Sequence, residues 1–354
     1  MKQLTRLLAS ALLLLSGAGP IGAQSTEARL AWLEALAPAE REARLSEAAR
    51  KEGEVVAYAN LDVTGAKVLA DGFMKRYPFV KLRMVHFSGA AIINRVETEA
   101  RAGKVSSDAI LSGQLGMLAL ADKKIMARYK SPHREHFREG FKDREGTWNV
   151  AFTNLMVTSY NTRLARKDEA PRRLEDLLLP RWKGKMAMDT QSYVWFGTIV
   201  QQMGDEGGLR FMRRLNEQDP VHVRGRRHMN ELLAAGEFDL VVETNLNSVL
   251  SLADKGAPVW FAPIQPLFLS PSLLYMSQNG PHPHGAALLL DYLLSEEGQR
   301  LYIAINRMPA HVKVRPAEGK LLEGLDIRVP DILNIGRRYN EIGRQYREIF
   351  PGAR

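Results

Sequence analysis

The chain has 354 residues, 45% hydrophobic, 25% charged and 8% aromatic, a globular composition with enough apolar side chain for a large core. At that length two domains are expected rather than one core. Lysine and arginine number 49 against 40 acidic residues, a net charge of +9, and cysteine is absent. That absence excludes disulfides, iron–sulfur clusters, thiolate zinc sites, cysteine nucleophiles and a lipid-anchored N-terminal cysteine.

The first segment has the layout of a secretory signal peptide. Lys2 and Arg6 form a positive start, and Leu7 to Leu15 is an apolar stretch too short to span a bilayer. Residues 16–20 break any helix, and Ile21-Gly22-Ala23 offers a small-residue cleavage site before Gln24. No acidic residue precedes Glu27, and no later stretch is long and uncharged enough to cross a membrane. An exported protein is therefore expected, and without a cysteine to carry lipid, a Gram-negative periplasm fits best.

Residues 24–51 read as an N-terminal helical extension, two short amphipathic helices broken at Pro38. A strand is predicted over 54–58, a helix over 68–77 ended by Pro78, a strand over 80–85, a helix from Ser88-Gly89 to about 102, a buried strand at 109–111 and a helix over 115–122. Residues 129–147 are polar, basic and aromatic, and read as connection. A second series follows: strands at 155–160 and 186–188, helices over 196–203 and 208–215, a strand at 221–223, a helix over 228–235, and strands at 240–242 and 259–261. The rhythm predicts two α/β lobes, each with its own open sheet.

Ligands of open α/β sheets sit beyond the carboxyl ends of the strands. The candidate loops are 59–62, 88–90, 112–114, 189–193 and 243–247, rich in Ser, Asn, Gln, Thr and Gly. Such loops suit recognition of a polar small molecule more than covalent chemistry. The chain carries no G-x-S-x-G, no G-x-x-x-x-G-K-[ST], no G-x-G-x-x-G after a strand and no H-E-x-x-H. His133-x-x-His136, flanked by Arg134, Glu135 and Arg138, reads as a solvated face, and His282-x-His284 as a loop before a helix. The basic run Arg224 to His228 lacks the aromatic interleaving and breadth of a nucleic-acid surface.

Three stretches carry a family resemblance. Leu179-Pro180-Arg181-Trp182-Lys183-Gly184-Lys185, Asn279-Gly280-Pro281-His282-Pro283, and Leu293-Leu294-Ser295-Glu296-Glu297-Gly298-Gln299 resemble motifs of family 1 extracellular solute-binding proteins. That family includes the ferric-ion-binding group and its organic-ligand relatives serving ABC importers. Residues 52–58 and 157–162 are similar to its opening strand and first interlobe segment. The resemblance implies the two-lobed type II periplasmic-binding-protein fold with interlobe crossover strands. Lobe 1 would take 52–156 and 267–315, and lobe 2 would take 157–266 and 316–354. The crossings would lie near 157–162 and 263–270, with the last helices, 330–350, on lobe 2.

Departures from the ferric pattern bear on the ligand. Leu246 and Asn247 stand where ferric members present a Tyr-Tyr pair, Asn60-Leu61-Asp62 where a histidine is common, and Gly113 where some carry glutamate. Asp62 and Glu243 alone would not satisfy a ferric ion, which needs several anionic oxygens. The resemblance also places an anion against Gln191-Ser192-Tyr193 and the Arg226-Arg227 pair, with one of the two arginines facing the cleft. The expected site is therefore Tyr58, Asn60, Asp62, Ser88, Gly89, Ser112, Gln191, Ser192, Tyr193, Arg226, Arg227, Glu243, Thr244 and Asn245. It would hold a small organic anion (carboxylate, phosphonate or phosphorylated compound) without metal, cofactor or catalysis. The partner would be an inner-membrane ABC permease, the protein a monomer that binds no nucleic acid. A ferric-binding protein and a periplasmic enzyme are the alternatives.

Overall fold

The computed structural model describes residues 24–353 except 88–90, 114 and 122. The leader read over 1–23, and the proposed contacts of Ser88 and Gly89, lie outside the described residues.

The extension comprises α1 (Thr26–Leu30), a 3-10 turn over 31–35 and α2 (Pro38–Glu52). Pro38 begins α2, where its missing N–H costs nothing, and Gly53 ends it at φ +74° with its N–H donated to the Ala49 carbonyl. There follow β1 (Glu54–Ala59), α3 (Val63–Arg76), β2 (Lys81–His86), α4 (Ala91–Arg101), β3 (Ala109–Ser112), a 3-10 turn over 115–117, α5 (Leu118–Ala121), β4 (Met126–Ala127), a 3-10 turn over 132–136 and β5 (Trp148–Asn161). The middle of the chain forms β6 (Met186–Asp189), α6 (Tyr193–Met203), α7 (Asp205–Asn216), β7 (Val221–Val223), α8 (Arg226–Ala235), β8 (Leu240–Asn245), α9 (Leu246–Ala253) and β9 (Val259–Ala262). The rest forms β10 (Leu267–Ser277), α10 (Pro283–Leu294), α11 (Glu296–Ala304), β11 (Met308–Pro309), β12 (Ile327–Arg328), α12 (Ile332–Arg337) and α13 (Tyr339–Ile349).

Two parallel groups, β2-β1-β3 and β8-β6-β7, flank an antiparallel pair, β10 and β5. The expectation of two separate sheets is corrected here: hydrogen bonds run unbroken from β2 to β7. The reason is the length of β5. Its first part pairs with β10 and its last part with β8 and β9, so one strand belongs to both groups. Each crossover strand carries a register shift, between Val157 and Ser159 in β5 and between Ser272 and Leu273 in β10.

Helix α10 lies between α2 and β1, which explains why Gly285 to Leu294 is buried throughout and almost wholly apolar. Its one acid, Asp291, receives Arg41 of α2 at 2.5 Å and the hydroxyl of Tyr129 at 2.8 Å. The extension is thus built into the first group. At the other end, α13 packs on α6 and α7 and also touches the 115–117 turn of the first group. Helix α12 likewise touches α5 and that turn, because Gly336 lets Leu118 approach.

Candidate functional site

The N-terminal ends of α3 and α8 face each other across the two groups. Asp62 caps α3, its Oδ1 accepting the Gly65 N–H at 2.8 Å, while its Oδ2 meets Arg227 of α8 at 3.4 Å. The Arg227 side chain is largely exposed and that of Asp62 is half-buried. Arg307, between α11 and β11, lies in the field of the same two charges. Burial pushes its guanidinium below the ordinary range; Asp62 opposes this and Arg227 adds to it. It donates to the carbonyls of Ile305 and Asn306, each at 3.3 Å, and its guanidinium sits 5.9 Å from the Phe152 ring centre. Arg227 is thus ion-paired with Asp62 at this edge, and Arg307 feels the same carboxylate only through its field.

Deeper on the β8 side, Glu243 is 1% exposed and fully engaged. Arg226 holds it through Nε and Nη2 at 2.9–3.2 Å, and Ser192 donates its hydroxyl at 2.9 Å. Burial disfavours the Arg226 charge, but Glu243 and then Asp189 outweigh it and hold the guanidinium firmly protonated. Asp189 ends β6 and accepts the N–H groups of Gln191 at 2.8 Å and Gly225 at 2.9 Å, tying the two loops together. The Tyr346 hydroxyl donates to the Asp189 carbonyl at 2.6 Å. The Tyr193 ring packs edge-on against Tyr339 and Tyr346, and its hydroxyl meets Arg347 at 2.7 Å. Burial and the neighbouring Tyr193 push the Tyr339 hydroxyl up to about 12, against the opposing charge of Arg226.

Several sequence expectations are corrected by this geometry. The anion expected against Ser192 and Arg226 is the protein's own Glu243 carboxylate, and Gln191 gives its backbone N–H to Asp189 while its side chain is exposed. The Tyr58 hydroxyl turns away to Glu99 of α4 at 2.7 Å, so its ring is wall. Glu243, Thr244 and Asn245 lie on β8 rather than in a loop, and Thr244 accepts from Asn230 at 2.6 Å. Asn60 donates to the Phe87 carbonyl at 3.0 Å, and Ser112 is buried opposite Leu273. Of the two neighbouring arginines, Arg227 reaches across the cleft and Arg226 does not. Arg307, Tyr339 and Arg347 were not anticipated. Arg307's only sequence signal is a charge set before Met308-Pro309, immediately after the helix that follows Ser295.

Residues 110–331 match the model of the bacterial extracellular solute-binding protein family. The chain belongs to that family. No curated protein matches it. The solute-binding protein resembles several solved structures in fold. The periplasmic binding protein P5PA superposes with a TM-score of 0.74 at 18% identity, over 84% of this chain and 99% of that one. The apo ferric ion-binding protein A of Pasteurella haemolytica gives 0.74 at 18% identity, over 84% and 98%. AfuA of Actinobacillus pleuropneumoniae, with exogenous fructose-6-phosphate bound, gives 0.74 at 17% identity, over 85% and 99%. The solute-binding protein therefore has the two-lobed periplasmic-binding-protein fold, and β5 and β10 are its interlobe crossover strands. The Asp62–Arg227 pair joins the two parallel groups.

Proposed function

We propose that this protein captures a small organic anion (a carboxylate, phosphonate or phosphorylated compound) in the cleft between its lobes. It would deliver that anion to an inner-membrane ABC permease. In this reading the leader over 1–23 is removed after Ala23, the mature monomer works in the periplasm, and the lobes divide at 156/157 and 266/267, with 316–354 returning to lobe 2. The supporting observation is the Asp62–Arg227 pair, with the desolvated guanidinium of Arg307 in the field of the same carboxylate. An exposed ion pair such as Asp62–Arg227 is worth only about 0.2–1 kcal/mol, so an incoming anion displaces Asp62 at little cost. Arg307, already desolvated, gains a charge-assisted partner. Thermal-shift measurement with citrate, a phosphonate and a sugar phosphate tests the reading, since ligand at a hundredfold over Kd stabilises by about 2.7 kcal/mol. A panel in which none of the three shifts the transition would overturn it. For ferric iron, the two acids expected to face the cleft are both bound to arginine. A charge-transfer band on iron titration, with no shift from any organic anion, would favour that alternative.

A further inference from the structure

His133-x-x-His136, read from the sequence as a solvated face, instead lines a cavity of about 760 Å³ between α2, α10, α11 and the 132–136 turn, together with His311. The charged walls are largely matched: Arg41 with Asp291, Arg76 with Glu42, Arg300 with Glu296. Among the described residues no three His, Asp or Glu are placed to share a metal ion. Of the imidazoles, His136 faces Glu135 through Nε2 at 3.3 Å, whereas His311 has no acid against it among the described residues. His311 is 1% exposed, its ring centre 4.8 Å from that of His136 and its ring edge-on to Phe137. Its Nδ1 accepts the Lys313 N–H at 3.2 Å, so the neutral ring carries its proton on Nε2, which is buried without a partner. An imidazolium has no acceptor nitrogen. Charging His311 therefore breaks the Lys313 bond and buries a cation beside His136 and His133.

The same short segment reaches the cleft. The N–H groups of Ala310 and His311 both donate to the Gln299 side-chain oxygen, at 2.8 and 3.1 Å, and Val312 N–H donates to the His136 carbonyl at 3.0 Å. Upstream, Met308-Pro309 pairs with β5, and Arg307 lies in the field of Asp62 and Arg227. We propose that the His133–His136–His311 cavity is a proton-operated release for residues 307–313, which opens the 311–313 turn in acid and frees Arg307 from its fixed place. Burial opposes a proton on His311, as do His136 and His133 from the 132–136 turn and Lys313 on its own segment; Glu296 of α11 favours it. The balance holds His311 below the ordinary histidine range. The release thus operates below about pH 6.5, the ordinary histidine value. Its effect on ligand rests on the cleft reading above, whereas the response of the segment does not.

Hydrogen exchange of the ligand-free mature chain at pH 7.5 and 5.0, corrected for intrinsic rates, tests this directly. Protection of peptides spanning 307–314 is expected to fall by about tenfold or more in acid, while peptides from β1 and β8 keep theirs. His311→Gln, whose amide oxygen accepts the Lys313 N–H without titrating, is expected to abolish the difference. Uniform loss across the chain, no loss, or an undiminished loss in H311Q overturns the proposal. Should H311Q fail to fold, NMR titration of the wild-type histidines decides. A His311 pKa at or above 6.5 overturns the proposal, and a lower one with coincident change at the Lys313 amide supports it.

Discussion

Both carboxylate oxygens of Glu243 are engaged, and this separates its role from that of Arg307. Removing the acid in Glu243→Ala leaves Arg226, whose side chain is 29% exposed, without its counter-charge and Ser192 without its acceptor. The expected cost is about 2–3 kcal/mol in urea unfolding, with Glu243→Gln recovering part of it. Arg307→Ala is expected to leave stability nearly unchanged, because it removes a desolvated cation that hydrogen-bonds the adjacent Ile305 and Asn306 carbonyls and has no ion pair among the described residues. It should weaken the tightest-binding anion of the panel roughly ten- to a hundredfold by calorimetry. The sequence placed Asp62, Arg227 and Glu243 near the site because strand ends and helix starts are legible from pattern. It did not distinguish a ligand-facing arginine from a structural one. That choice depends on which acid lies within reach, and Glu243 is separated from Arg226 by a helix and a turn.

Among the elements, short apolar strands and the helices after them were legible from periodicity and their Gly and Pro stops. Three were not. The crossover strand β10 contains Pro271 in Leu-Phe-Leu-Ser-Pro-Ser-Leu-Leu, which argues against a central strand; the register shift at Ser272 lets it stay. Helix α9 follows β8 without a turn residue, and the polar Asn245 and Asn247 looked like loop. The first part of β5, buried almost throughout, has no alternation to mark it. Where α6 meets α7, neighbouring glycines make opposite predictions. A Cβ on Gly208 would lie 2.4 Å from the Val200 Cα, a backbone atom that cannot swing aside. Gly208→Ala should therefore cost about 1–3 kcal/mol. At Gly207 the nearest atom is 3.9 Å away, so Gly207→Ala should gain up to about 1 kcal/mol from helix propensity alone. Paired thermal melts of the two variants check both signs.

For the whole molecule, two lobes were legible from the repeated β/α rhythm, but their joining into one ladder was not, since sequence order does not show which strands are neighbours. The structural role of the extension was equally hidden: only the fold brings Arg41 within reach of Asp291. Arg41→Met should cost about 3–5 kcal/mol by leaving that acid buried and unpaired, read as a drop in the urea midpoint at constant slope. Burial holds His133, His222 and His311 below their ordinary range. The native state then binds fewer protons than the unfolded chain around and below the ordinary histidine value of about 6.5. Stability is thus fully present above that value and declines as pH falls through it towards the lowered native values. Urea midpoints at pH 7.5, 6.5 and 5.5 should fall in that order, and a flat series would contradict the burial of these rings.

An unbroken ladder through β5 and β10 also has a mechanical meaning. A joint made of loop swings freely and stores nothing, whereas a pair of continuous strands behaves as a flat spring. Any rotation of one lobe against the other must be taken up as twist and bend in these two ribbons, and the strain will gather where their pairing is already interrupted, at Val157–Ser159 and Ser272–Leu273. The swing of the cleft is then set by the stiffness of two strands, with a restoring force that returns the lobes to one resting angle.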